Sequence, residues 1–145
     1  MSRGYPDFSG ATAFPVRKHF RVDSPLVGVI GTLDTETEYL ISGQALIDGG
    51  YIHFVGVFDI WTTRITLTID GNALGPYSVE YLSMYCLGKE RTFPVTLLYL
   101  DRDMFTVTIG LVPGYYCGTE YKLDVWNATA DNLAVSGHLA YSDVT

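Results

Sequence analysis

The stretch Arg64-Ile65-Thr66-Leu67-Thr68-Ile69-Asp70-Gly71-Asn72 decides the fold class. Ile65, Leu67 and Ile69 alternate with Arg64, Thr66 and Thr68, the period of two that gives a strand one dry face and one wet face. Asp70-Gly71-Asn72 then supplies a turn of the positive-φ type. Working outward, the pattern recurs on both sides. In Thr35–Ser42, Thr37, Tyr39 and Ile41 oppose Glu36, Glu38 and Leu40. Tyr51–Ile60 is largely apolar on both faces, which predicts a central strand. Before it, Gln44–Ile47 runs into Asp48-Gly49-Gly50, which predicts a hairpin turn. Arg17–Val22 and Leu26–Leu33 predict two early strands, with Gly28 and Gly31 marking a bulge or a close backbone approach. On the C-terminal side, Phe93–Leu100 and Phe105–Leu111 flank Asp101-Arg102-Asp103, a hairpin tip. Tyr115–Trp126 sets Tyr121, Leu123 and Val125 against Glu120, Lys122 and Asp124. After a polar turn over Asn127–Asn132, Leu133–Tyr141 places Leu133, Val135, Leu139 and Tyr141 on one face. Tyr77–Leu87 reads either as a strand or as one short helical turn, and it is the only place where a helix is expected.

Eight to ten short strands with short turns, and no helices long enough for parallel crossovers, predict an all-β fold. The expected architecture is an antiparallel β-sandwich or jelly roll with an extended N-terminal arm. At 145 residues the chain is expected to form one domain. Residues 1–22 would be the arm and a first short strand, and residues 23–145 the sandwich. The 15 glycines and 11 tyrosines suit such a fold, in which turn formers and aromatics are both needed.

The net charge of −7 is unevenly spread. Residues 1–22 carry Arg3, Arg17, Lys18 and Arg21 against Asp7, so +3; the remaining 5 basic and 15 acidic side chains give −10. An acidic body argues against nucleic acid as a partner. The basic leader either contacts an acidic partner, including the body of a neighbouring copy, or only keeps a first strand solvated. No apolar run approaches the length needed to cross a bilayer, and Met1–Phe20 has no apolar signal region. A soluble chain with no membrane partner and no secretory leader of its own is expected. Within residues 1–16, Gly4, Pro6, Gly10 and Pro15 break regular structure, while Tyr5, Phe8 and Phe14 are apolar anchors. Such an arm packs on its own domain or lies across a neighbour.

Local chemistry points away from catalysis. His19, His53 and His138 have no second histidine or cysteine at metal-ligand spacing. No Gly-x-Ser-x-Gly elbow is present, and nothing beside Cys117 would lower its pKa. Cys86 and Cys117 match no zinc pattern; they are buried small hydrophobes unless neighbouring strands bring them together. Asp34, Glu36 and Glu38, spaced by two, could serve glycoside hydrolysis or bind calcium, and otherwise form a charged edge that discourages aggregation. Trp61, Tyr115, Tyr116 and Trp126, at or near strand ends, could form a stacking platform for a glycan, or fill a core or subunit interface. Asn127-Ala128-Thr129 matches the N-glycosylation pattern, which without a secretory leader reads as coincidence. No catalytic residue, metal or cofactor is expected.

Arg3-Gly4-Tyr5-Pro6-Asp7-Phe8 with Phe14-Pro15, Ile65-Thr66-Leu67-Thr68-Ile69-Asp70-Gly71-Asn72, and Leu123-Asp124-Val125-Trp126-Asn127 leading to Gly137 and Tyr141 form short islands across most of the chain. In these islands it resembles small structural proteins of tailed bacterial viruses. The resemblance implies a virion component: a capsid decoration protein, a head fibre or a tail subunit. It implies partners in copies of itself, a trimer being one arrangement, and in a major capsid or tail protein. It carries over no catalytic residue. The arm, through Tyr5, Phe8, Phe14, Arg17, Lys18 and Arg21, is expected to bridge subunits. The expectation is a non-enzymatic virion protein, made in the host cytoplasm and displayed on the particle surface. Its rival is a carbohydrate- or receptor-binding module of a viral tail or fibre.

Overall fold

The computed structural model describes residues 17–57, 60–85 and 94–144, with side chains along the first strand from Leu26 onward. Ten strands are present among them: β1 (Arg17–Ile30), β2 (Thr35–Ser42), β3 (Ala45–Val55), β4 (Arg64–Ile69), β5 (Asn72–Ser78), β6 (Val95–Asp101), β7 (Thr106–Leu111), β8 (Tyr116–Cys117), β9 (Glu120–Trp126) and β10 (Leu133–Val144). A 3-10 turn, Ile60–Thr62, precedes β4, and one helix, α1 (Val79–Tyr85), follows β5. All pairings are antiparallel. The larger sheet has the order β1-β10-β3-β7-β6, with β8 added beside the start of β3; the smaller has the order β2-β9-β4-β5. With β6 and β8 set aside, the chain distributes its strands between the sheets in the jelly-roll order, a double Greek key. The all-β sandwich expected from the period-2 pattern is therefore the fold.

The β4–β5 hairpin forms as the sequence implies. Asp70 and Gly71 have φ of 51° and 83°, so both central residues are left-handed, the type I′ geometry that matches strand twist. The tip between β6 and β7 also forms, because Asp101 Oδ1 accepts from the backbone N–H of Asp103 (2.9 Å) and Met104 (3.1 Å). The expectation over Asp48-Gly49-Gly50 is corrected. These residues make no hairpin; they lie inside β3, which runs unbroken from Ala45 to Val55. The pairing with β10 slips by one residue there, from Ala140↔Gly49 to Tyr141↔Ile47, so Asp48 is the extra residue of a bulge. The glycines serve that bulge: Gly49 has φ of 129°, and a Cβ on Gly50 would lie 2.4 Å from the His138 carbonyl oxygen. The two strands expected at Arg17–Val22 and Leu26–Leu33 are a single strand ending at Ile30, and Gly28 pairs in regular register with Val135.

The alternating residues fill the space between the sheets. Ile52, Phe54, Val107 and Ile109 of the larger sheet and Ile65, Leu67, Tyr121, Leu123 and Val125 of the smaller are buried. Each aliphatic or phenylalanine side chain among them contributes about 1.5–3 kcal/mol by leaving water. Tyr39 of β2 crosses the core and donates its hydroxyl to the Tyr51 carbonyl of β3 at 3.0 Å. Gly137 makes room for it, since a Cβ there would sit 2.6 Å from the Tyr39 hydroxyl and 2.4 Å from the Tyr51 carbonyl oxygen. Helix α1 starts where Ser78 caps it, its Oγ accepting from the Tyr81 N–H at 3.0 Å. It buries Val79 and Leu82 and packs against β5, β6 and the 3-10 turn, closing one side of the sandwich.

Candidate functional site

The arm residues Tyr5, Phe8 and Phe14 lie outside the described residues, as does Cys86. Arg17, Lys18 and Arg21 belong to the first residues of β1, where Arg17 pairs with Val144 and Arg21 with Ser142 across a register irregularity. Their side chains, like that of His19, lie outside the described set.

The four aromatics proposed as a stacking platform are divided between the two ends of the sandwich. Tyr115 and Tyr116 sit by the start of β3: the Ile47 N–H donates to the Tyr115 carbonyl at 2.8 Å, and Tyr116 pairs with Leu46. Trp126 ends β9 at the opposite end, paired with Thr35 and Arg64, and the 3-10 turn carries Trp61 at that same end. Both tryptophans are half-buried, and each lies under a guanidinium. Arg102 stands 5.0 Å from the Trp61 ring centre, and Arg64 stands 5.1 Å from that of Trp126. Trp61 also packs on Phe105, ring centres 5.9 Å apart. These contacts anchor the hairpin tip and the sheet end.

A second aromatic row was not recognised in the sequence. Tyr77, Tyr81 and Tyr85 follow one another at intervals of four along the end of β5 and α1. Tyr77 stacks on Tyr81 at 5.2 Å and 16°, and Tyr81 meets Tyr85 at 4.8 Å and 42°. The interval of four was the available signal; it has meaning only once the segment is known to be helical. Between α1 and β6 lies an open groove of about 340 Å³, lined by Ser83 and Leu97–Leu100.

Several polar groups have shifted pKa values, each with a local cause. Asp70, at the β4–β5 turn, accepts from the backbone N–H groups of Gly118 (2.9 Å), Thr119 (2.7 Å) and Glu120 (3.1 Å) and from the Thr119 hydroxyl (3.0 Å). These donors hold its carboxyl well below the usual carboxylate range. Asp101 is lowered by the same kind of backbone bonding, from Met104 and Asp103. Glu38 moves the other way: burial, then the charge of Glu36, raises its carboxyl. Thr37, the residue between those glutamates, donates its hydroxyl to Asp124 at 2.5 Å. His53 and Thr108 share a hydrogen bond of 2.7 Å on the outer side of the larger sheet. Cys117 is a buried free thiol whose Sγ lies 3.5 Å from the Gly43 carbonyl oxygen, and burial raises its pKa. Among the described residues, no group of three or more His, Cys, Asp or Glu is placed to hold a metal.

Asn127 is fully buried. Its Nδ2 donates to the carbonyls of Ile30 (3.1 Å), Gly31 (3.1 Å) and Asp131 (2.8 Å). Its Oδ1 accepts from the Thr129 N–H (3.0 Å) and hydroxyl (2.7 Å). The glycosylation pattern at 127–129 is thus a loop lock, and in the folded domain its amide is out of reach of any modifying enzyme.

The outer faces of the two sheets differ. The smaller sheet exposes Glu36 and Leu40 of β2 and Arg64 of β4, with Lys122 and Asp124 of β9 partly exposed and 3.7 Å apart. On the larger sheet, residues 26–30, 50–55, 95–100, 106–111 and 133–140 contain no Asp, Glu, Lys or Arg. Its outer face presents Val27 and Val29 of β1, Tyr51 and Val55 of β3, and Leu98 and Tyr99 of β6, all exposed. No protein-family model matches this chain, and no curated protein matches it.

Proposed function

We propose that this protein is a non-enzymatic structural subunit of a virus particle, a decoration or auxiliary protein that coats or stabilises the shell through oligomeric contacts. The observation that carries this reading is the jelly-roll strand order, an architecture used by viral capsid domains as well as by lectins. That is an argument by fold analogy. The resemblance of the islands at Arg3–Phe8, Ile65–Asn72 and Leu123–Asn127 to structural proteins of tailed bacterial viruses selects the viral use. Copies need only modest individual interfaces, because many symmetric contacts add by avidity. The partners are copies of the chain and a major capsid or tail protein, with the arm at residues 1–16 as a bridge. The place of action is the particle surface after synthesis in the host cytoplasm. Sedimentation of particles from a virus-producing culture tests the reading: the chain travels with the particles, and deletion of residues 1–16 releases it while the domain still folds. A chain found wholly outside the particle fraction overturns it.

A second reading, a carbohydrate- or receptor-binding module, is favoured by one observation: the Tyr77, Tyr81, Tyr85 row that runs from the end of β5 along α1. Rings in a row suit the flat faces of sugars. Binding on a glycan array that Tyr81→Ala abolishes would favour this reading over the first.

A further inference from the structure

We infer that two copies of this chain pack face to face through the outer surface of the larger sheet. The inference goes beyond the proposed function and holds for any self-associating use of the fold. Over residues 26–30, 50–55, 95–100, 106–111 and 133–140 this face has no formal charge; Asp48, Asp101 and Asp143 lie at its margins. Exposed apolar side chains lie on three of its strands: Val27 is 90% exposed and Val29 56% on β1, Val55 40% on β3, and Leu98 58% and Tyr99 51% on β6. Between them lie the uncharged Ser136, His53 and Thr108, the latter two already hydrogen-bonded to each other at 2.7 Å. An uncharged face of this breadth, with apolar side chains exposed on β1, β3 and β6, marks an interaction surface.

Charge selects the occupant. Each copy carries −7, so most ways of bringing two copies together set acid against acid. Packing this face on itself through a two-fold axis avoids that, because the contact is isologous and uncharged on both sides. The size also fits. Five strands about 4.8 Å apart and about six residues long make a patch of about 24 by 20 Å. Two such patches remove about 1,000 Å² even before side-chain relief is counted, the area at which specific interfaces begin. Sheets packed in this way stack about 10 Å apart, and Tyr51, Tyr99 and Leu98 would fill the space.

Mass measurement on the full chain, from about 1 to about 100 µM, tests this. The expected result is a particle of twice 16.0 kDa. The double variant Val29→Lys, Val55→Lys, at two exposed positions, should weaken association at least 100-fold. The same charge placed on the other sheet by Thr66→Lys, Thr68→Lys should leave it within threefold. Val27→Lys, at a nearly fully exposed position, gives a second reading should the double variant misfold. A wild type of single-chain mass throughout overturns the inference. So does a dimer that survives the lysines on this face, or one lost only when residues 1–16 are deleted. If the lysine variants are monomers that melt below a monomeric wild type, the chain's own residues cover the face, and the inference fails. Particle sedimentation is unaffected by these outcomes, so the proposed function stands or falls separately.

Discussion

Removing the Asn127 side chain would remove five hydrogen bonds from one buried point. Asn127→Ala leaves the Ile30 carbonyl and the Thr129 N–H without that partner in a dry setting, where each orphan costs about 1–3 kcal/mol, while the Asp131 carbonyl keeps the Thr129 hydroxyl at 2.8 Å. We expect a loss of about 3 kcal/mol or more, read from urea unfolding. Nothing in its sequence context distinguishes Asn127 from an ordinary turn asparagine; only the fold brings Ile30 and Gly31 beside it. Asp70 acts through its charge. Its folded pKa is depressed, so its contribution is present above the usual aspartate value and fades as pH falls through the folded one. In Asp70→Asn, melting temperature should change less than in wild type between about pH 4 and pH 2, because the lost term is the one that titrates there. Glu38 has the opposite sign. Its raised pKa means that the folded state prefers the neutral acid, so the penalty appears as pH rises through the folded value. Glu38→Gln should raise the melting temperature at pH 7, and the gain should shrink toward pH 4.

Among the elements, those with strict alternation were legible: β4 and β9 follow the pattern, whereas β2 follows it only from Tyr39 onward, because a register irregularity between Thr37 and Tyr39 leaves Thr37 exposed and bonded to Asp124 and Glu38 partly buried. Ile65 and Leu67 of β4 and Leu123 and Val125 of β9 are buried as the pattern implies. β3 was only partly legible. Asp-Gly-Gly is strong turn chemistry, yet the same freedom of Gly49 and Gly50 serves a bulge within a continuous strand, and only the partner β10 decides which use prevails. Gly50→Ala would drive a Cβ into the His138 carbonyl and is expected to cost about 3 kcal/mol. Hydrogen exchange should then show lost protection in β3 and β10 rather than in the smaller sheet. β5 has no alternation to read: Ala73, Gly75 and Pro76 interrupt it, and Leu74 and Tyr77 are only partly buried. In the helix after it seven residues give periodicity little room, and the Ser78 cap decides in favour of the helical turn.

For the whole molecule, the sandwich was readable, but the candidate sites were not. Trp61, Tyr115, Tyr116 and Trp126 look alike as strand-end aromatics, and sequence spacing cannot say that the fold sends them to opposite ends. The uncharged strands are visible in the sequence, but their membership of one sheet depends on the strand order. That order makes β10 the hinge of the assembly, since it lies between β1 and β3. A chain ending at residue 132 should therefore lose its near-ultraviolet circular dichroism and its cooperative melting transition entirely. There is a consequence for biosynthesis. While the ribosome is still adding the residues that precede Leu133, β1 has no neighbour and one flank of β3 is bare. The larger sheet therefore cannot close until β10 has emerged, and until then the edges of β1 and β3 are open to pairing with other chains.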